Sequence, residues 1–241
     1  MNYLLTFLNY FLIFFIYSFL GWIAETIYTT IIEKKLVNRG FLIGPYCPIY
    51  GCGSILMILY LTQYKNNLIT VFLLSMFICC FLEYLTSYIM EKIFKARWWD
   101  YSNMKYNLNG RICGENAILF GLGGLFIIYI SNPFVERIIK LFNSKIIIIL
   151  SIIFFVIFVI DTILSFNIIN KLKKNINVLN LTGDSTQELK SLVSSIINNN
   201  IEINKTRIST LQRRIIKAFP NINLNGFIDT NKKHLRKLLK K

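Results

Sequence analysis

The sequence predicts an all-α integral membrane protein: about five transmembrane helices containing an internal two-helix parallel repeat, followed by a basic cytoplasmic helical tail. Three observations predict it. The 241 residues are 54% hydrophobic and 15% aromatic with mean hydropathy +0.52, more than a water-soluble core requires. The net charge of +15 is uneven: residues 1–170 hold 12 basic and 8 acidic groups, whereas residues 171–241 hold 15 and 4. The third observation is that the apolar part repeats itself. Together these exclude a lone soluble globule, a disordered chain and a disulfide-stapled mini-protein.

The elements follow in order. A spanning helix needs about 20 predominantly apolar residues, fewer where it is broken. Five runs qualify: residues 4–32, 41–61, 68–94, 112–130 and 146–169. Met1-Asn2-Tyr3 offers no basic start and no small-residue cleavage site follows the first run, so no removable leader is expected. Residues 1–170 then form a transmembrane domain, with repeat units at about 17–61 and 75–130 and a fifth span at 146–169. Lys171, Lys173 and Lys174 open the tail and belong on the cytoplasmic side, which puts the N-terminus outside. Lys34, Lys35, Arg39, Lys92, Lys95, Arg97, Lys105 and Arg111 then fall in inner loops; Lys65, Arg137, Lys140 and Lys145 fall in outer ones.

In the tail, Leu189, Val193 and Ile196, then Ile208, Leu211 and Ile215, recur at helical spacing among lysines and arginines. Three partners compete for it, and anionic lipid of the inner leaflet is favoured over nucleic acid or a docking protein, because a tethered basic segment meets the lipid first. His234, the only histidine, reads as a surface residue. Cys47, Cys52, Cys79, Cys80 and Cys113 form no Cys-x-x-Cys pair and read as packing residues rather than metal ligands. No metal or cofactor is expected.

The repeat is the most informative pattern. Glu25 is followed by Glu33-Lys34, and Glu83, 58 positions on, by Glu91-Lys92 at the same spacing. Gly40, Gly44, Gly51 and Gly53 are matched 70 positions on by Gly110, Gly114, Gly121 and Gly123. The difference is an insertion in the second copy that contains Trp98-Trp99-Asp100-Tyr101. Each unit is a pair of spans, so the two copies share one orientation about an axis along the membrane normal.

The segments Gly40-Phe41-Leu42, Gly44-Pro45-Tyr46-Cys47-Pro48-Ile49-Tyr50-Gly51, Trp99-Asp100-Tyr101-Ser102 and Asn109-Gly110-Arg111-Ile112-Cys113 resemble those of the bacterial membrane family labelled putative ABC transporter permease, type IV, or CmpB-like. The resemblance covers roughly residues 10–130 and leaves the tail outside. It implies a transport-associated protein of the bacterial inner membrane and leaves open a homo-oligomer, a membrane subunit or an ATPase subunit as partner. The chain itself carries no Gly-x-x-x-x-Gly-Lys-Ser/Thr nucleotide-binding motif.

Ionisable groups within a bilayer are costly and by default mark function or a specific pairing. Glu25, Glu83, Glu115 and Asp161 are all expected in the inner leaflet, with Arg39, Arg97 and Arg111 entering from adjacent loops. These groups either line a pocket or tie helices together as ion pairs. Pro45 and Pro48 keep a regular helix from starting before about Ile49, and Gly110, Gly114, Glu115 and Asn116 give the fourth span a similarly broken start. Broken spans at matching places in two repeats point to a binding site, so Gly44, Pro45, Pro48, Gly114 and Asn116 join the candidate pocket. Trp98, Trp99 and Tyr101 are expected in an interfacial belt, the alternative being a cap over the pocket with Asp100 paired to a basic residue.

Three function classes remain. The leading one is a transport-associated, permease-like subunit with a cytoplasm-facing polar pocket, assembling as a homo-oligomer or with a membrane or ATPase partner. The second is a membrane scaffold or regulator working through its tail. An intramembrane enzyme is third, since no nucleophile, histidine or metal-ligand set accompanies the carboxylates.

Overall fold

The apolar runs fold as helices, because in lipid each backbone N–H must find its acceptor within the chain. The computed structural model describes residues 3–34, 36–94 and 97–180, together with Arg214 and Ala218. The helices are α1 (Tyr3–Glu33), α2 (Pro48–Leu61), α3 (Leu68–Phe94), α4 (Gly114–Phe126), α5 (Asn132–Lys140) and α6 (Ser144–Asn180). Among the described residues there is no strand, though Leu108 and Ile112 form an isolated bridge. Beyond Asn180 the expected tail helices lie outside the described residues apart from Arg214 and Ala218, both helical.

Four stretches are long and apolar enough to cross a bilayer: Tyr3–Ile32, Leu68–Phe94, Gly114–Lys140 and Ser144–Lys171. The chain is a multi-pass membrane protein. The second expected span divides instead into an irregular segment and the 14-residue α2. At about 1.5 Å per residue α2 rises about 21 Å, short of a hydrocarbon core of about 30 Å. Pro48 in the first turn of α2 has no N–H to donate backwards, which fixes the start there. The fourth run extends further than its apolar stretch suggested. A π-helical segment, Ile127–Ser131, joins α4 to α5, where Pro133 cannot donate to the Tyr129 carbonyl, so the turn before it widens rather than breaking.

Two hairpins form the body. In the first, the Cys47 N–H donates to the Ser18 carbonyl at 2.9 Å, so α2 begins beside the middle of α1 and runs back along it. A methyl group at Gly51 would collide with Ser18 and the Phe14 carbonyl, and one at Gly21 with Tyr50. In the second, Gly121 lies against the Phe72 ring and Gly124 against Ser75, so α4 packs as closely on α3. Small residues drive such contacts in membranes, where burial from water gives no drive between helices. Ser18, Ser54, Ser75, Ser151 and Ser165 are all buried.

Leu12, Ile13, Tyr17, Ile58, Val135, Ile139 and Ile147 close one end of the bundle between α1, α2, α5 and α6. The opposite end carries the 36–47 and 97–113 connections, the start of α4 and the far part of α6. There Phe94, Trp98 and Ile169 form a core with Phe41 and Phe166. The ionisable candidates gather at this loop end.

Candidate functional site

The first acid is neutralised. Lys34, at φ 51, turns the chain at the end of α1, and the returning segment is held by Val37 N–H on Thr30 Oγ1 at 3.4 Å and by Trp22 Nε1 on Asn38 Oδ1 at 3.0 Å. This brings Arg39 back beside Glu25, with Nη2 at 3.1 Å and Nε at 3.3 Å from Oε1. The other carboxylate oxygen accepts from the Tyr50 hydroxyl at the start of α2. Glu25 thus spends both oxygens on a guanidinium and a phenol.

Asp161, on α6, is consumed by the broken second span. Oδ1 accepts from the Ile43 N–H at 2.9 Å and from Ser165 at 3.0 Å; Oδ2 accepts from the Gly44 N–H at 2.8 Å and the Tyr46 hydroxyl at 2.5 Å. Irregular backbone beside Ser18 lies about 22 Å along α1 from its end at Glu33, by the helical rise. Backbone N–H groups at such depth need an acceptor. Asp161 supplies it, and a side chain at Gly44 would press on Tyr46 and Asp161 itself. Pro45 is exposed in this segment, and Pro48 ends it at the start of α2.

Glu83, on α3, is different. Its Oε1 accepts from the Tyr101 hydroxyl at 3.0 Å, while Oε2 is buried with no hydrogen-bond partner. The residue is 8% exposed, and among the described residues no lysine or arginine pairs with it. Burial pushes the Tyr101 phenol well above its ordinary value, and the charges of Glu83 and Glu25 add to the rise, so both acids act on one side chain.

Tyr101 is delivered by the 97–113 connection, a compact knot. Its N–H donates to the Gly110 carbonyl at 2.8 Å. Gly110 sits at φ +66, and a methyl there would also strike Ser102 and Asp100. Trp99 Nε1 donates to the Arg111 carbonyl at 3.1 Å, and Asp100 accepts from Ser102 N–H at 3.0 Å while lying 3.7 Å from Arg97. Trp98 is 3% exposed, packed against Phe41 and Phe94. Trp98 thus belongs to the core at the loop end, while Tyr101 is the residue of this segment that reaches Glu83.

The remaining candidates separate from these acids. Arg97 and Arg111 both pair with Glu91, at 3.3 and 2.7 Å, and neither with Glu83 or Glu115. Arg111 also donates to Ser87 at 3.1 Å and lies over the Tyr84 and Tyr88 rings. Glu115 is exposed in the first turn of α4, where Gly114 lies against Tyr106 and Asn116 is half-buried. The first-turn position explains its tolerance: a carboxylate there faces unpaired helix N–H groups. Sequence reasoning missed Tyr46, Tyr50 and Glu91 as site residues. All three carried a signal, since Tyr46 and Tyr50 stand inside the Gly-Pro segment and Glu91 is the acid of the repeated Glu-Lys pair.

A family model described as Putative ABC-transporter type IV matches residues 12–166, which takes in both hairpins, the 97–113 connection and Asp161. No curated protein and no solved structure matches the chain.

Proposed function

Because the chain belongs to the family described as Putative ABC-transporter type IV, we propose that it is a permease-like subunit whose loop end faces the cytoplasm and holds a polar pocket centred on Glu83. The observation that carries this reading is the contrast among three acids, Glu25 half-buried and Asp161 and Glu83 buried. Glu25 has Arg39, Asp161 has two backbone N–H groups and a phenol, and Glu83 has one phenol and a bare oxygen. A buried carboxylate with one oxygen left unpartnered is poised for a ligand. Tyr101 and Tyr50 flank it, and the 97–113 cap covers it.

In this reading the segment 36–47 and α2 together make one broken crossing, giving five crossings with the N-terminus outside and the tail inside. The basic residues at the loop end support that direction. The repeat is supported by one pair of contacts: Gly51 meets Phe14 and Gly121 meets Phe72, and both residues are displaced by the offsets seen in the sequence. The chain works as a non-enzymatic membrane component, alone, as a homo-oligomer or beside an ATPase subunit. Reporters fused at the two ends test the orientation: the same side for both removes five crossings.

Function is tested by comparing the small solutes accumulated by cells expressing the wild type, Glu83→Gln and no protein. A solute whose level changes with the wild type and returns to background with Glu83→Gln, at equal protein in the membrane, is the expected result. Equal solute profiles for wild type and empty cells overturn the reading.

A second reading, a scaffold or regulator acting through its tail, is favoured by one contact. Arg214 Nη2 donates to the Leu42 carbonyl at 2.6 Å, and Arg39 donates to the Ala218 carbonyl, one helical turn along. The tail therefore touches the segment that Asp161 anchors. Burial lowers the Arg214 guanidinium, and the Asp161 charge works against that.

A further inference from the structure

A carboxylate in hydrocarbon surroundings must have its charge matched or lose it, since an uncompensated buried charge costs far more than any single hydrogen bond returns. Among the described residues, the titratable groups that act on Glu83 or feel its charge are Glu25 from α1, Tyr50 from α2, Tyr101 from the 97–113 connection, and Cys79 and Cys80 from α3 itself. None of these is a cation. The two nearby arginines are engaged elsewhere, Arg39 by Glu25 and Arg111 by Glu91 and Ser87.

Oε1 is already taken by the Tyr101 hydroxyl, so whatever matches the charge does so at Oε2. A hard metal cation asks for about six or more oxygens. This position offers one free carboxylate oxygen beside two phenols, and the described residues hold no cluster of metal-ligating side chains. A single proton needs only the one oxygen.

We propose that Glu83 is a proton-exchange site, its carboxyl taking up one proton at Oε2 and releasing it again, so that a mobile proton does at the second hairpin what Arg39 does permanently at the first. The balance is one proton gained and one O–H bond formed, with Tyr101 keeping its own proton and its hydrogen bond to Oε1. Exchange runs through the cap that holds Tyr101, the covering nearest the loop end. The inference deepens the pocket reading given above and rests on it for the identity of Glu83 as the pocket acid.

Infrared difference spectroscopy on the full chain in lipid vesicles tests it. The wild type should show a protonated-carboxyl C=O band at neutral pH that shifts in D2O and disappears on alkaline titration. Glu83→Gln should remove the band and Glu25→Gln should leave it. Tyr101→Phe, which retains Glu83, should move its frequency, and this variant carries the test if Glu83→Gln does not insert. A wild type without such a band, a band that never shifts in D2O, or a band that forms only when sodium and potassium are replaced by a large organic cation overturns the proposal. The band together with an unchanged solute profile in Glu83→Gln would leave the proton site standing and remove the permease reading; solute loss without the band would do the reverse.

Discussion

The α1–α2 and α3–α4 hairpins each place one glutamate near the loop end, Glu25 half-buried and Glu83 buried, and they treat it differently. In the first, the connection is short and folds back so that Arg39 reaches Glu25 at 3.1 Å. In the second, the insertion carrying Trp98-Trp99-Asp100-Tyr101 comes between, and what reaches Glu83 is a phenol at 3.0 Å. The insertion also displaces the arginines of that half, Arg97 and Arg111, outward onto Glu91. One hairpin has its charge cancelled by the fold itself; the other leaves it to be cancelled from outside. An acid locked in an ion pair stabilises and does little else, whereas one held by a neutral partner can change state without dismantling the helices around it.

The largest expected effect comes from neither glutamate but from the residue that holds the irregular segment before α2. Asp161→Ala leaves the Ile43 and Gly44 N–H groups buried without acceptors. Each orphan costs about 1–3 kcal/mol, so a loss of about 2–6 kcal/mol is expected, read as a fall in folded yield and in the denaturant midpoint of the purified protein. Asp161→Asn should recover only part, since one of its two oxygens becomes a donor.

Next in size is the ion pair of the first hairpin. Arg39→Ala leaves Glu25 with Tyr50 alone, and because both side chains are partly exposed the loss should be about 1–3 kcal/mol rather than the full penalty of a buried pair. A double-mutant cycle of Arg39→Ala with Glu25→Gln should return a coupling of about 0.5–3 kcal/mol. No coupling would mean the two hairpins do not differ as described.

Much of this arrangement was legible in the sequence, and the failures have physical reasons. Run length identified the long helices because lipid requires unbroken helical hydrogen bonding. Pro45 and Pro48 announced an irregular entry and a helix too short to span alone, and α2 does begin at Pro48 and run 14 residues. Run length by itself does not show this, since Phe41 and Leu42 are as apolar in an irregular segment as in a helix. The sequence left open whether the arginines pair with the acids: Arg39 does pair with Glu25, whereas Arg97 and Arg111, held in a connection that turns at the left-handed Asn109 and Gly110, pair with Glu91. Which neighbours Trp98 takes was not legible, because amphipathic rings suit a headgroup boundary and a protein core alike, and here it packs on Phe41, Phe94 and Ile169.

A smaller effect should appear at alkaline pH. The Tyr101 phenol is raised by burial and by Glu83 and Glu25, so the folded chain keeps a proton that the unfolded chain releases near pH 10. Its contribution to stability is therefore fully present below about pH 10 and is lost as pH rises above it. Tyr101→Phe should cost about 1 kcal/mol at neutral pH and make the alkaline loss shallower, measured by thermal unfolding across that range. An unchanged alkaline limb would remove Tyr101 from the site.

The smallest effect is the one that bears hardest on the comparison. Glu25→Gln and Glu83→Gln make the same change, a carboxylate to its neutral isostere, in the two hairpins. Unfolding of the two variants should be followed side by side in the same detergent at neutral pH. Glu25→Gln should lower the midpoint, since it leaves the Arg39 guanidinium without its partner, while Glu83→Gln should leave the midpoint unchanged or raise it, since no cation is orphaned and no charge has to be matched. A fall for Glu83→Gln as large as that for Glu25→Gln would contradict the account, because it would show that Glu83 is a structural tie like its counterpart.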